Sequence, residues 1–222
     1  YLFPVFALLT LLSMCWLLFV PIPEETSGQL TSSWGATFCL LKDRTILLLF
    51  LGIVFVVGVD VGVNTVAPKL LLERCGFDIA EAGIGSSVYF AFRTIGAFVG
   101  TFLLARVSGS KYFRVNILVA IAALVVLFFV SGQYPILVSI ALIGFTCSSI
   151  FSLLFSMAIQ AQPRKANEIS GLMVTGIFGG AVIPPLMGYC TDLIGTQVGS
   201  LVVILGCLLY LLYCSVGIKT ER

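Results

Sequence analysis

From Ile46 to Pro68 the chain reads ILLLFLGIVFVVGVDVGVNTVAP, 23 residues with a single charge, Asp60. A helix needs about 20 apolar residues to cross the hydrocarbon core of a bilayer. A soluble helix buries one face and keeps the other polar, and this run has no polar face to keep. The pattern recurs along the whole sequence, which is 59% hydrophobic, 10% charged and free of histidine. Lipid is therefore the solvent of this chain, and the lipid bilayer its first expected partner. A formal net charge of +2, with no basic run interleaved with aromatics, excludes nucleic acid as a partner. Seven cysteines are present without a CxxC pair, and Cys15, Cys147, Cys207 and Cys214 lie in apolar runs, so they read as small hydrophobes.

Cut at its polar and Gly/Pro punctuation, the sequence predicts an all-α integral membrane protein of seven transmembrane helices. The spans fall near residues 1–22, 46–68, 84–106, 113–131, 134–160, 169–190 and 197–218. The chain opens on Tyr1, and its first apolar run lacks the basic head and small-residue cleavage site of a signal peptide, so a fragment of a longer protein is expected. Between the first two spans lies PIPEETSGQLTSSWGATFCLLKDRT, polar-leaning and much longer than the other turns. The expected organisation is one helix over 1–22, a linker over 23–45 and a six-helix unit over 46–222. Its six spans divide into two sets of three, 46–131 and 134–218, and many transporter folds are assembled from three-helix repeats of inverted topology.

Loop charges predict sidedness, because cytoplasmic loops retain Lys and Arg. One side holds Lys42, Arg44, Arg106, Lys111, Arg114, Arg164, Lys165, Lys219 and Arg222, and the other only Lys69 and Arg74. The linker and the C-terminus are thus expected in the cytoplasm.

Only Asp60 and Arg93 place a formal charge well inside a span. A charge at the bilayer centre costs about 2.5–3.5 kcal/mol on insertion scales, so it faces a polar cavity or a partner. Asp60 stands eight residues before Pro68, and Arg93 eight residues after Gly85. At about 1.5 Å per residue both lie roughly 12 Å below the same boundary, on consecutive antiparallel helices. Asn64 follows Asp60 by one turn and Tyr89 precedes Arg93 by one turn, which puts each pair on one helical face. The expected patch of carboxylate, amide, phenol and guanidinium has the donors and acceptors that a polyhydroxylated solute requires. The competing reading is an ion pair that fixes helix packing without touching substrate.

Gly58 and Gly62, and likewise Gly96 and Gly100, are spaced GxxxG, which lets helices approach closely. In SGLMVTGIFGGAVIPPLMGY, Gly179 and Gly180 precede Pro184 and Pro185. Paired prolines remove two backbone donors and favour a kink, so this segment suits either a flexing gate or a static bend. The block FTCSSIFSLLFS adds Ser148 and Ser149, whose hydroxyls serve as sugar ligands or bond back to their own helix. Neither a metal-ligand cluster, a phosphate-binding loop nor a nucleophile motif is present, so no metal, cofactor or catalytic residue is expected.

The stretches NEISGLMVTGIFGGAVIPPLMGYCTDLIG, 167–195, and VGVDVGVNTVAPKLLLERCG, 57–76, strongly resemble the C-terminal half of major facilitator superfamily sugar permeases, closest to the fucose:proton symporter family. The resemblance covers nearly the entire chain. It implies twelve spans in two six-helix halves that rock about a central sugar site, with this chain supplying spans six to twelve. It also implies a multi-pass protein of the bacterial inner membrane, a sugar and protons as partners, and the missing N-terminal half as the other wall of the cavity. The basic, glycine-containing turn ARVSGSKYFR, 105–114, matches the family's loop between spans eight and nine in loosened form. Where the family often carries Asn and Pro before a segment like IFSL, this chain has Ser148 and Ser149. The family's proton-coupling acids belong to the N-terminal half, so no residue of this chain is nominated for that role.

The expected function is secondary active transport of a hexose, deoxyhexose or related polyol, proton-coupled in the full-length protein. The alternatives are a carrier of a non-sugar solute and a membrane sensor or scaffold that keeps the fold without transport. A three-plus-one-plus-three carrier would put its odd helix in the middle, not first. An enzyme is not expected, since the spans contain no paired carboxylate or nucleophile-base arrangement.

Overall fold

The protein is described by a computed structural model over residues 2–20 and 38–217. Its described residues are helices and short connections, without strands. The chain divides into two compact units, Tyr1–Ser32 and Ser33–Arg222. The first contains helix α1 (Leu2–Phe19). Its polar side chains are satisfied inside the helix, with Thr10 Oγ1 donating to Ala7 O at 2.8 Å and Ser13 Oγ to Thr10 O at 2.9 Å. The expected linker lies outside the described residues up to position 37, as do Lys219 and Arg222.

The second unit is built from α2 (Arg44–Cys75), α3 (Ile79–Ala82), α4 (Ile84–Leu104), α5 (Gly109–Phe129), α6 (Gln133–Cys147), α7 (Ile150–Ala161), α8 (Ala166–Thr175), α9 (Gly179–Ile194) and α10 (Val198–Gly217). Counting α3 with α4, α6 with α7 and α8 with α9, it has six helices long and apolar enough to cross a membrane. All six spans expected after the linker are present.

Helix α2 is the centre of the bundle. Asp43 starts it by accepting from Thr45 N at 2.8 Å and Ile46 N at 3.4 Å, which satisfies two of the donors a helix leaves open at its first turn. Gly76 ends it in the left-handed conformation, φ 67°, that glycine adopts without a Cβ penalty. Between them run 32 residues, about 48 Å. The sequence predicts an end at Pro68, and the helix instead continues for two turns to Cys75. Proline removes the bond to the carbonyl four residues back, that of Asn64. Here Ser86 Oγ, from α4, donates to that carbonyl at 3.3 Å. A side chain of the neighbouring helix thus fills the vacancy, and the helix passes through its proline.

Two other spans differ from the sequence expectation. The span expected over 134–160 is interrupted at Ser148 and Ser149, where Ser149 turns to ψ −2° and α6 gives way to α7. The span expected over 169–190 tightens into a 3-10 turn at Gly176–Phe178, just before Gly179 and about two turns before Pro184. The prolines sit inside α9, and the change of helix type precedes them.

The buried face of α2, including Ile46, Leu49, Ile53, Val59, Val63 and Leu70, packs on α4, α6, α7, α9 and α10. Gly58 and Gly62 form a seam for α9: a Cβ on Gly58 would strike the Ile183 side chain, and one on Gly62 would meet Met187 Sδ at 2.8 Å. Gly96 and Gly100 do the same for α4 against Phe145 and Ser149. Both GxxxG pairs are therefore helix-packing seams. One stripe of α2 remains half-exposed: Phe50, Val54, Val57, Val61 and Asn64.

Both ends of α2 are tied to the ends of other helices. At the Asp43 end, Gln162 Nε2 from the α7–α8 connection donates to Asp43 Oδ2 at 2.8 Å. At the Gly76 end, Arg74 Nη1 donates to Leu127 O and, at 2.7 Å, to Val130 O, which satisfies carbonyls that the end of α5 leaves open. Beside it, Gln197 N donates to Glu73 Oε2 at 2.9 Å.

Candidate functional site

Asp60 lies on α2 and Arg93 on α4, and the matched depths read from the sequence bring them into contact. Arg93 Nη2 stands 2.8 Å from Asp60 Oδ2. Tyr89, one turn earlier on α4, donates its phenolic O–H to Asp60 Oδ1. Both oxygens of the carboxylate are thus engaged by one face of α4. The ion pair is only partly enclosed, with 22% of the Asp60 side chain and 35% of the Arg93 side chain exposed, whereas Tyr89 is fully buried.

Asn64 continues the site along α2. Its backbone carbonyl accepts from Ser86, while its side-chain Oδ1 is buried and has no hydrogen-bond partner. A buried acceptor without a partner costs about 1–3 kcal/mol, which makes this amide a group with capacity to bind. Ser86, Tyr89 and Arg93 stand at i, i+3 and i+7, so α4 presents three donors in one line to Asn64 and Asp60 on α2. Ser86 is the member of this line that sequence reasoning missed. Its spacing from Tyr89 and the carbonyl freed by Pro68 were the available signals.

Tyr89 also fixes where α6 sits. A Cβ on Gly144 would meet Tyr89 O at 2.8 Å and Tyr89 Cδ2 at 3.1 Å, so α6 approaches this closely only because residue 144 is glycine.

Ser148 and Ser149 are placed elsewhere. Ser148 Oγ donates to Phe145 O at 2.8 Å, the back-bonding geometry of a hydroxyl in a membrane helix. Ser149 is buried, and its hydroxyl packs on Gly100. Both meet α4 one to two turns beyond Arg93, at the break between α6 and α7. Gly179 and Gly180 hold α9 on α2: a Cβ on Gly179 would strike the Val54 backbone, and one on Gly180 would meet Val61 Cγ2 at 3.1 Å. Pro184 and Pro185 follow within α9. The structure therefore brings Asp60, Tyr89 and Arg93 into direct contact, with Asn64 one turn along α2 and tied to α4 through its backbone carbonyl, and sets the two serines and the glycine–proline segment in helix contacts around them.

Comparison with known proteins gives this arrangement its family. The model of the Major Facilitator Superfamily matches residues 1–183. The chain belongs to that superfamily. A Helicobacter pylori relative is 26% identical over 223 residues, covering 98% of this chain and 53% of that protein. A glucose/galactose transporter of Brucella abortus is 26% identical over 80% of this chain and 43% of its own length. The L-fucose-proton symporter of Escherichia coli is 30% identical over 46% of this chain and 23% of its own. Among solved structures, the Escherichia coli fucose:proton symporter superposes with a TM-score of 0.83 at 20% identity, covering 95% of this chain and 53% of that one. That likeness shows the fold. The chain spans about half the length of the relatives it matches most fully. It is a multi-pass membrane protein of the superfamily, and the resemblance read from its sequence holds.

Proposed function

We propose that the chain forms one half of a secondary transporter for a hexose, deoxyhexose or related polyol, proton-coupled in the full-length protein. In this reading two halves rock about a site near mid-membrane, and this chain supplies one wall of it. The observation that carries the proposal is the partly open cluster of Asp60, Asn64, Tyr89 and Arg93 inside the membrane-spanning bundle. Ionisable residues at that depth mark substrate pathways, and this set offers both donors and acceptors to hydroxyl groups. The names of the Brucella abortus and Escherichia coli relatives support a sugar as the solute.

Within the proposal, residues 1–22 are the last helix of the preceding half, 23–45 a cytoplasmic linker and 46–222 the second half. The Asp43 end of α2 faces the cytoplasm and the Gly76 end faces outward, as the loop charges predict. Asp60, Asn64 and Arg93 bind the sugar, Tyr89 holds the Asp60 carboxylate from its buried side, and Ser148 and Ser149 stand behind them at the α6–α7 break. Gly179, Gly180, Pro184 and Pro185 form the segment where α9 bends against α2 during the cycle.

Uptake of labelled hexoses, deoxyhexoses and amino sugars into vesicles carrying the full-length protein, with and without an imposed proton gradient, tests the reading. Gradient-stimulated uptake of one sugar is the expected outcome. Well-folded protein that moves none of them would sink sugar transport.

A further inference from the structure

Between Glu81 and Glu168 the sequence holds no acidic residue, over a stretch that includes α4, α5, α6 and α7. Its basic residues are Arg93, Arg106, Lys111, Arg114, Arg164 and Lys165. Arg93 is paired with Asp60. Arg106, in the turn before α5, and Lys111 and Arg114, inside it, are exposed and form no ion pair with any described residue.

Lys111 and Arg114 lie about 3 Å and 8 Å along the helix axis from Gly109. Val115, Leu118, Ala122 and Phe129 continue the same face down α5, and all six residues are exposed. The opposite face, with Phe113, Ile117, Leu124 and Leu127, is buried. Asn116 is also turned inward, and its Nδ2 donates to Tyr112 O at 2.8 Å. The exposed face is therefore basic at its first turn and apolar below it.

This face lies at the periphery of the bundle. Helix α5 packs on α6 and α10, and those two pack in turn on α2. It is thus one row removed from α2, whose half-exposed stripe is the wall turned toward the proposed substrate path. Lys and Arg beside lipid run their methylene stems along apolar surface and keep the charged head at the interface. A basic cluster at the rim of a membrane-spanning helix attracts anionic headgroups, by about fivefold for each Lys or Arg near the surface.

We propose that the α5 face from Lys111 to Ala122 is a binding site for one anionic phospholipid. Lys111 and Arg114 hold its phosphodiester, and an acyl chain lies on Val115, Leu118 and Ala122. Arg106 adds its charge from the turn. Ala122 is about 12 Å from Arg114 along the axis, and the hydrocarbon of one leaflet is about 15 Å deep, so a single chain covers these positions. The site needs only the membrane-spanning bundle and is independent of which solute the protein carries.

The test uses the full-length protein in nanodiscs of phosphatidylcholine that contain a minor fraction of a lipid with a photoactivatable acyl chain. That lipid is phosphatidylglycerol in one sample and phosphatidylcholine in the other, and the adducts are mapped by peptide mass spectrometry. Labelling of residues 115–122 is expected to favour phosphatidylglycerol about three- to tenfold. In Lys111→Gln/Arg114→Gln the two lipids are expected to label within about twofold of each other. Arg164→Gln/Lys165→Gln removes as much charge from the α7–α8 connection and is expected to keep the preference. Loss of the preference in both variants would mean a diffuse surface field and would overturn the site, as would equal labelling by the two lipids in the unsubstituted protein. Absence of adducts on α5 from either lipid, with other spans labelled, would mean that protein covers this face, and overturns it too. Should the double variant fail to accumulate, Lys111→Gln and Arg114→Gln are read singly, and a preference unchanged in both overturns the proposal.

Discussion

Replacing Arg93 with alanine leaves Asp60 inside the bundle with the Tyr89 hydroxyl as its remaining side-chain partner. Replacing Asp60 with asparagine leaves the Arg93 guanidinium without its counter-charge. Unit charges about 4 Å apart interact by about 4 kcal/mol at an effective dielectric constant of about 20. With 22% and 35% of the two side chains exposed, water screens the pair, and a coupling of about 1–3 kcal/mol is the reasonable magnitude. The double variant Asp60→Asn/Arg93→Gln strands no charge, so it is expected to be more stable than the sum of the single changes by that amount. Thermal midpoints of the solubilised full-length proteins read it, at about 2–4 °C per kcal/mol for a unit of this size. Sugar uptake per folded molecule is measured alongside and is expected to fall in all three variants. Additive stability losses, within about 0.5 kcal/mol, would refute the ion-pair argument. Full uptake per molecule by the double variant would leave the pair a packing device and remove it from the proposed cavity.

Ser86→Ala leaves the Asn64 carbonyl without its donor and is expected to cost about 1–3 kcal/mol. Adding Pro68→Ala restores an N–H to the helix, so the double variant is expected to melt above Ser86→Ala; a midpoint no higher would contradict the account of how α2 passes its proline. Gly179→Ala sets a methyl group against the Val54 backbone, which cannot swing aside, and is expected to lose about 1–3 kcal/mol or more. Gly188→Ala on the same helix meets nothing within 4 Å and serves as the control, expected to change the melting point little. Arg74→Ala removes two bonds to the end of α5 and is expected to raise amide hydrogen exchange at residues 127–131; unchanged exchange there would mean that the end of α5 is held by packing alone.

The Asp60–Arg93 contact was legible because the bilayer imposes a depth scale: two lone charges at equal depth on consecutive helices have few other partners. The glycine seams were legible for a similar reason, since spacing by four residues puts two missing side chains on one face. The length of α2 was not, because Pro68 is a helix stop in sequence and becomes tolerable only through Ser86 on another helix. The break at Ser148 and Ser149 was equally hidden. Serine is an ordinary residue in a membrane helix, and the tight crossing of Gly96 over Phe145 is a tertiary fact. The early start of α5 at Gly109, four residues before its expected onset, puts Lys111 into a helix, where a basic loop residue was anticipated. Apolarity marks the depth of the hydrocarbon, and hydrogen-bonding groups decide where a helix ends.

The uninterrupted passage of α2 through Pro68 makes it a lever. Its half-length is about 24 Å, so a tilt of about 10° about its middle displaces each tip by about 4 Å. At one tip Arg74 grips the end of α5 and Glu73 the segment before α10; at the other, Asp43 holds the turn between α7 and α8. A hinge in the middle of α2 would let these two rims move separately. In the proposed cycle, α2 tilting as one body would carry a displacement of either rim to the other in the opposite sense, with the Asp60 cluster near the fulcrum.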